Sequence, residues 1–213
     1  MSKEMEQRIY AVDFESRRDG KNGIITGRPI VYDSRTDIGY FDEIIERGAL
    51  DGADLTDVRL CLNHDTSFVY ARSRRNNANS TMRLSPDDGG MVIEASLNID
   101  GSPKAMDLYS AISRSDLDKM SFMFSVAEDV WENLDSDHPL RRIKKIASVV
   151  EVSVVTFPAY DATSIQARSK EALENAKASL EREERSVENP VETGIDELEL
   201  LKLKTRILTG GVI

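Results

Sequence analysis

The chain has one cysteine, Cys61, and two histidines, His64 and His138, in 213 residues. A single cysteine excludes an intramolecular disulfide and fits a reducing compartment. Between Leu60 and Leu62, it reads as a buried apolar residue rather than a nucleophile. Two isolated histidines offer no metal-ligand spacing, so neither a metal nor another cofactor is expected. No apolar run is long enough to span a bilayer, and Met1–Arg8 lacks the apolar core of a signal peptide. No membrane partner is expected, and the expected site of action is the cytoplasm. Basic charge is also scarce: 28 Lys and Arg against 38 Asp and Glu give a net charge of −10. That excludes a general nucleic-acid binder, which needs a basic surface to displace counterions. The local basic cluster of Arg72, Arg74 and Arg75 reads as a solvated loop. No internal repeat is visible.

What is present is a soluble, globular composition, 40% hydrophobic and 31% charged, long enough for one domain with a core plus an appendage. Strand patterns cover 9–12 and 23–32, with a polar turn over 17–23 between them and Asn22-Gly23 as its turn signal. Residues 57–62 alternate, turn apolar and deliver His64. Residues 81–84 and 91–97 flank a Pro-Asp-Asp-Gly-Gly turn. Ala105, Leu108, Tyr109 and Ile112 mark one face of a helix, with Ser102 as N-cap and Pro103 at its first position. Lys119 to Val126 and then 140–157 read as strands, with Pro158 ending the second. From Ser169 the chain becomes rich in Glu, Lys, Arg and Ala with only a thin apolar stripe, which is a solvent-bridging or partner-seeking helix. Asn189-Pro190 breaks it. A more apolar helix follows over 195–208, stopped by Gly210-Gly211. The boundary falls near Arg168, giving a domain over 1–168 and a helical tail over 169–213.

Three residues on or beside these core strands carry possible chemistry. On a period-2 strand Met120, Phe122, Phe124 and Val126 share one face, while Ser121, Met123 and Ser125 share the other. Ser121 is then either a small polar residue on a half-covered face or a nucleophile. Asn63-His64-Asp65 is good turn chemistry, and His64 alone could be a surface histidine. The second histidine, His138, lies in an acidic loop, a poor place for a general base, so His64 is the base if the chain is a hydrolase. Glu151 interrupts an otherwise core-like run over 146–157. A buried carboxylate needs a partner. A histidine donating Nδ1–H would supply it and leave Nε2 facing the serine. The alternatives are that Glu151 faces solvent or pairs with Arg141, Arg142 or Lys144. Asp65 is the weaker orienter.

Taken in order, these stretches resemble the prohead serine proteases of tailed bacteriophages. The resemblance covers roughly residues 6–168. It rests on Gly27 and its strand, Phe41-Asp42-Glu43-Ile44-Ile45-Glu46-Arg47-Gly48-Ala49-Leu50, Leu62-Asn63-His64-Asp65, Met120-Ser121-Phe122-Met123-Phe124, and the stretch from Glu151-Val152-Ser153 to Pro158-Ala159-Tyr160. It implies an α+β, mainly β fold related to herpesvirus assemblin: a closed, mostly antiparallel β-barrel wrapped by a few helices, here with a helical C-terminal tail. It implies Ser121 as nucleophile, His64 as general base and Glu151 as third member, with Arg168 a candidate for the oxyanion. The implied partners are scaffold segments and the major capsid protein as substrates, together with self-association and self-cleavage, inside the immature shell in the host cytoplasm. Ala167-Arg168-Ser169 and Ala178-Ser179 are the small-residue sites for such self-cleavage. The rival reading is a non-catalytic scaffolding protein on a protease-derived fold, favoured by the Glu/Lys-rich helix. An esterase is disfavoured because no Gly-x-Ser-x-Gly surrounds Ser121.

Overall fold

The computed structural model describes residues 5–156, 162–188 and 197–208, with side chains described over 5–156, 170–185 and 198–207. Among the described residues eleven strands and three helices follow in order. They are β1 (Glu6–Ala11), β2 (Glu15–Asp19), β3 (Asn22–Val31), β4 (Thr36–Asp37), β5 (Asp42–Ile45), β6 (Val58–Leu62), β7 (Ala71–Ser73), β8 (Met82–Asp87) and β9 (Gly90–Leu97). Then come α1 (Pro103–Ser113), β10 (Lys119–Glu132), β11 (Leu140–Val154), α2 (Ala162–Glu188) and α3 (Glu197–Leu208). The class is α+β, with strands dominant.

Among the described residues the strands form two sheets, and neither closes on itself, so the expected closed barrel is not supported. One sheet runs β1-β10-β11-β5-β4, with β6 also on β11 and β7 on β6; the other runs β2-β3-β9-β8. The physical reason lies in β11. It pairs antiparallel with β10 along one edge, while its other edge is shared, in parallel, by β5 over its first half and β6 over its second. Where the sheets approach each other, isolated bonds such as Thr81 N–H to the Arg72 carbonyl (2.9 Å) replace a ladder.

Local chemistry explains most elements. Ser102 accepts the Ala105 N–H at 3.3 Å, and Pro103 follows it, so α1 begins where its cap places it. Its buried face is Ala105, Leu108 and Ile112. The β2–β3 hairpin departs from expectation. Arg17 and Arg18 belong to a strand rather than a turn, and the reversal occurs at Gly20-Lys21, where Gly20 takes φ +56°. Every residue of β2 is exposed, so no apolar alternation marks it. α2 begins at Ala162, ahead of the boundary read near Arg168. Pro158 and Asn189-Pro190 lie outside the described residues.

The main core lies between the sheets and α1. Ile25 and Ile30 of β3, Met91 and Ile93 of β9, and Met120, Phe122 and Phe124 of β10 are all fully buried in it. Each such side chain contributes about 1.5–3 kcal/mol by leaving water. Gly27 permits the close approach of β3 and β10: a Cβ there would sit 2.9 Å from Met120 Sδ and 3.0 Å from Phe14. At the far end a buried ion network ties β1, β5 and β11. Arg8 pairs with Glu43 at 2.6 Å, and Arg141 with Glu6 at 2.7 Å and Glu43 at 3.2 Å. No helix among the described residues is long and apolar enough to cross a membrane.

Candidate active site

The pleat of the large sheet separates two kinds of chemistry. Met120, Phe122 and Phe124 of β10 and Val152 and Val154 of β11 belong to the core. Ser121 on β10 and Ser153 on β11 are direct antiparallel partners, as are Met123 and Glu151, so these four share the opposite face. A bulge just beyond Met123, where Phe124 pairs with Val149, ends this register. On the other side of β11, Ser153 is in register with Cys61 and Val154 with Leu62. β6 therefore runs alongside Glu151 and Ser153 and ends opposite Val154, and His64 emerges two residues later.

The turn that carries His64 is left-handed at both central positions. Asn63 has φ +51° and His64 φ +59°, and Asp65 N–H bonds back to the Leu62 carbonyl at 3.0 Å. That is the geometry of a type I′ turn. Asn tolerates it, but histidine pays a steric cost on the order of 1 kcal/mol, so surrounding bonds must hold the turn. They do. Asn63 N–H donates to the Val154 carbonyl at 2.9 Å, and His64 N–H donates to Ser153 Oγ at 3.1 Å. Asn63 Oδ1 accepts from Thr156 N–H at 2.9 Å and Thr156 Oγ at 3.2 Å.

The histidine side chain meets the carboxylate across strands. His64 Nδ1 lies 3.0 Å from Glu151 Oε2, with both side chains nearly buried at 10% and 4% exposure. A carboxylate only accepts, so Nδ1 is the donor, and in the neutral ring Nε2 keeps its lone pair. The second oxygen, Oε1, accepts from Ser153 Oγ. The alternative partners of Glu151 are engaged elsewhere: Arg141 with Glu6, Glu43 and Asp129, Arg142 with Glu132, and Lys144 with Glu46. Asp65 is exposed and caps its own turn by accepting the Ser67 N–H at 2.9 Å.

Two buried polar atoms here have no hydrogen-bond partner among the described residues: His64 Nε2 and Ser121 Oγ. Leaving such a group unsatisfied costs on the order of 1–3 kcal/mol, and in native folds it calls for an explanation. Ser121 is fully buried, so a reagent or peptide reaches Oγ only after a local movement. Beside the turn, a cavity of about 520 Å³ is lined by Leu62, Asn63, Asp65, Phe68 and Tyr70, and across it by Lys104, Asp107, Leu108, Ala111 and Leu117.

Cys61 lies fully buried in register with Ser153, and burial, followed by the nearby Glu151 carboxylate, pushes its thiol up to about 11. That suits an inert packing residue and not a thiolate nucleophile. His138 is away from His64, with Nε2 3.2 Å from Asp42 Oδ1. Among the described residues Asp37, Asp42 and His138 could between them offer ligand atoms to a metal ion, but Asp42 is already bound to Arg35 at 2.6 Å. The side chain of Arg168 lies outside those described. Sequence reasoning missed Ser153, whose signal was its position two residues after Glu151 on the same strand face. It also missed the Asn63–Thr156 clamp, which no local pattern announces.

A histidine–carboxylate pair whose Nε2 has no partner among the described residues, with an unpartnered serine on the same sheet face as the carboxylate, has the composition of a serine-hydrolase site. Residues 11–178 match the family described as caudovirus prohead serine protease, and the chain belongs to that family. It is 29% identical over 163 residues to the prohead protease of Enterobacteria phage HK97, a match covering 75% of this chain and 66% of that protein. The match thus spans slightly under two thirds of the relative's length. The capsid assembly protease of bacteriophage T4 aligns with 73% of this chain and 99% of its own at 12% identity, with a TM-score of 0.41, too low to carry an argument.

Proposed function

We propose that the chain is a serine endopeptidase of capsid maturation, with Ser121 as nucleophile, His64 as general base and Glu151 as the group that orients His64. The observation that carries this reading is that two buried atoms, His64 Nε2 and Ser121 Oγ, have no partner among the described residues while His64 Nδ1 is committed to Glu151. In the reaction Ser121 Oγ attacks the scissile carbonyl as its proton passes to Nε2. The imidazolium then protonates the leaving amine, and water releases the acyl group by the same route in reverse. Glu151 stabilises the imidazolium while it exists. The cavity beside the His64 turn, lined by Asn63 and Asp65, suits a substrate side chain.

Membership of the family supports scaffold segments and the major capsid protein as substrates, within the immature shell. The tail supports recruitment. Leu198 and Leu201 of α3 are exposed at 61% and 62%, while Arg206 of the same helix pairs with Glu183 of α2 at 3.2 Å. Exposed leucines on a terminal helix suit docking to a shell protein or a second copy, and α2 suits a cleavable connector, with Ala178-Ser179 on it. The test is to express the wild type and Ser121→Ala and weigh both intact. A chain shortened at its C-terminus in the wild type alone, and capsid-protein cleavage by the wild type alone, are expected. Equal processing by Ser121→Ala overturns the reading. A chain that never cleaves itself or capsid protein, yet co-assembles with scaffold, favours the scaffolding alternative.

A further inference from the structure

We propose that Ser153 is a positioning residue of the proteolytic site, holding both Glu151 and the turn that carries His64. The inference rests on the roles proposed above for His64 and Glu151. Ser153 is fully buried, and its hydroxyl is used in both directions. It donates to Glu151 Oε1 and accepts the His64 backbone N–H at 3.1 Å. Each bond solves a separate problem. A carboxylate on a long side chain can rotate and present either oxygen. The Ser153 proton occupies Oε1, so Oε2 is the oxygen left for His64 Nδ1–H, 3.0 Å away. The imidazole, in turn, swings with its backbone, and that backbone is in the left-handed region at φ +59°. The Ser153 lone pair satisfies the N–H of that strained residue. One oxygen atom thereby fixes the acid from one side and the base from the other, and through them the direction of Nε2.

Ser153 does not carry the chemistry itself. Its proton is committed to Glu151, and Nε2, the free ring nitrogen, is not its partner. Removing the hydroxyl should therefore slow the reaction without changing how a substrate binds. Removing residues that orient a reactive ligand commonly costs on the order of tenfold to a hundredfold in activity.

The test uses the full chain and a fluorophosphonate probe, reading the maximal labelling rate and the probe's half-saturation separately. Ser153→Ala is expected to lower the maximal rate about tenfold to a hundredfold with half-saturation unchanged, and Ser153→Thr, which keeps the hydroxyl, to recover most of it. In a Glu151→Gln background the alanine change should cost less than in the wild type, because the group it positions is already disabled. A structural role alone would add its full loss in both backgrounds. A second readout needs no variant at position 153. In wild-type NMR spectra the Ser153 hydroxyl proton should be protected from exchange and show a cross-peak to the His64 amide. A labelled wild type with Ser153→Ala at the wild-type rate, or the absence of that cross-peak, overturns the role of Ser153. A wild type that the probe never labels overturns instead the proteolytic reading beneath it.

Discussion

Ser121 and Ser153 stand opposite each other on adjacent strands with their side chains on one face, yet among the described residues only the Ser153 hydroxyl has hydrogen-bond partners. Two serines of equal burial thus differ in what their hydroxyls can do. The committed one can hold its neighbours still. The free one can give up its proton when a base is presented. That asymmetry, set by which strand passes beside the His64 turn, is the basis for assigning the nucleophile.

The same hydroxyl predicts an outcome for Glu151→Gln. In that variant the Ser153 proton seeks the amide oxygen, which turns the amide nitrogen toward His64 Nδ1. Nδ1 must then accept, the ring proton moves to Nε2, and the base is in the wrong tautomer. Loss of the corresponding charge in a Ser-His-Asp site costs on the order of 10⁴. A loss of at least about a hundredfold in maximal fluorophosphonate labelling, with an unchanged melting temperature, is expected here. Loss below about threefold would mean that Glu151 does not orient His64.

Cys61 should be chemically silent in the folded protein. Burial and the Glu151 carboxylate raise its thiol to about 11, so the thiolate is scarce at neutral pH and shielded as well. Iodoacetamide at pH 8 should modify it only after denaturant is added, and mass spectrometry distinguishes the two states. Rapid alkylation of the native chain would contradict the packing described for β6.

Breaking the buried ion network should cost far more than breaking a surface pair. Glu43 is 2% exposed and answers both Arg8 and Arg141. Glu43→Ala leaves two buried guanidinium groups short of a partner, and a loss of about 3–5 kcal/mol is expected from urea unfolding. The Arg17–Glu94 pair is half exposed on both sides, and Glu94→Ala should cost less than about 1 kcal/mol. Equal losses would contradict the burial assigned to the network.

Glu6 ties this network to acid stability. Burial would raise its carboxyl, but Arg8 and Arg141 outweigh that and lower it from 4.5 to about 2. Because the folded value is the lower one, the carboxylate stabilises the fold fully above about 4.5, and this contribution disappears as pH falls toward 2. The interval corresponds to about 3 kcal/mol. Urea midpoints of the wild type and Glu6→Gln should therefore differ at pH 6 and converge near pH 2. A difference that is constant across that range would contradict the pairing.

Sequence pattern exposed the parts of this molecule that depend on near neighbours. The two faces of β10, the Ser102 cap and the need of Glu151 for a partner all follow from spacing or local chemistry. The arrangement of the strands did not. Whether β5 and β6 close a barrel or share one edge of β11 depends on register between segments nearly a hundred residues apart, and a strand's own residues do not encode its partner. β2 was hidden for a different reason: with every side chain exposed, it lacks the alternation by which half-buried strands are recognised. The bonds of Ser153 likewise join residues 64, 151 and 153, and only the parallel pairing of β6 with β11 brings them together.

Whether Ser121 is the nucleophile and His64 its base is decided by locating covalent adducts of a fluorophosphonate probe on the intact chain by peptide mass spectrometry. One adduct is expected, on Ser121, absent from Ser121→Ala and formed at least about a thousandfold more slowly in His64→Ala, while both variants unfold at the wild-type urea midpoint. An adduct on Ser153 or any other serine that survives Ser121→Ala, or undiminished labelling of Ser121 in His64→Ala, would contradict it.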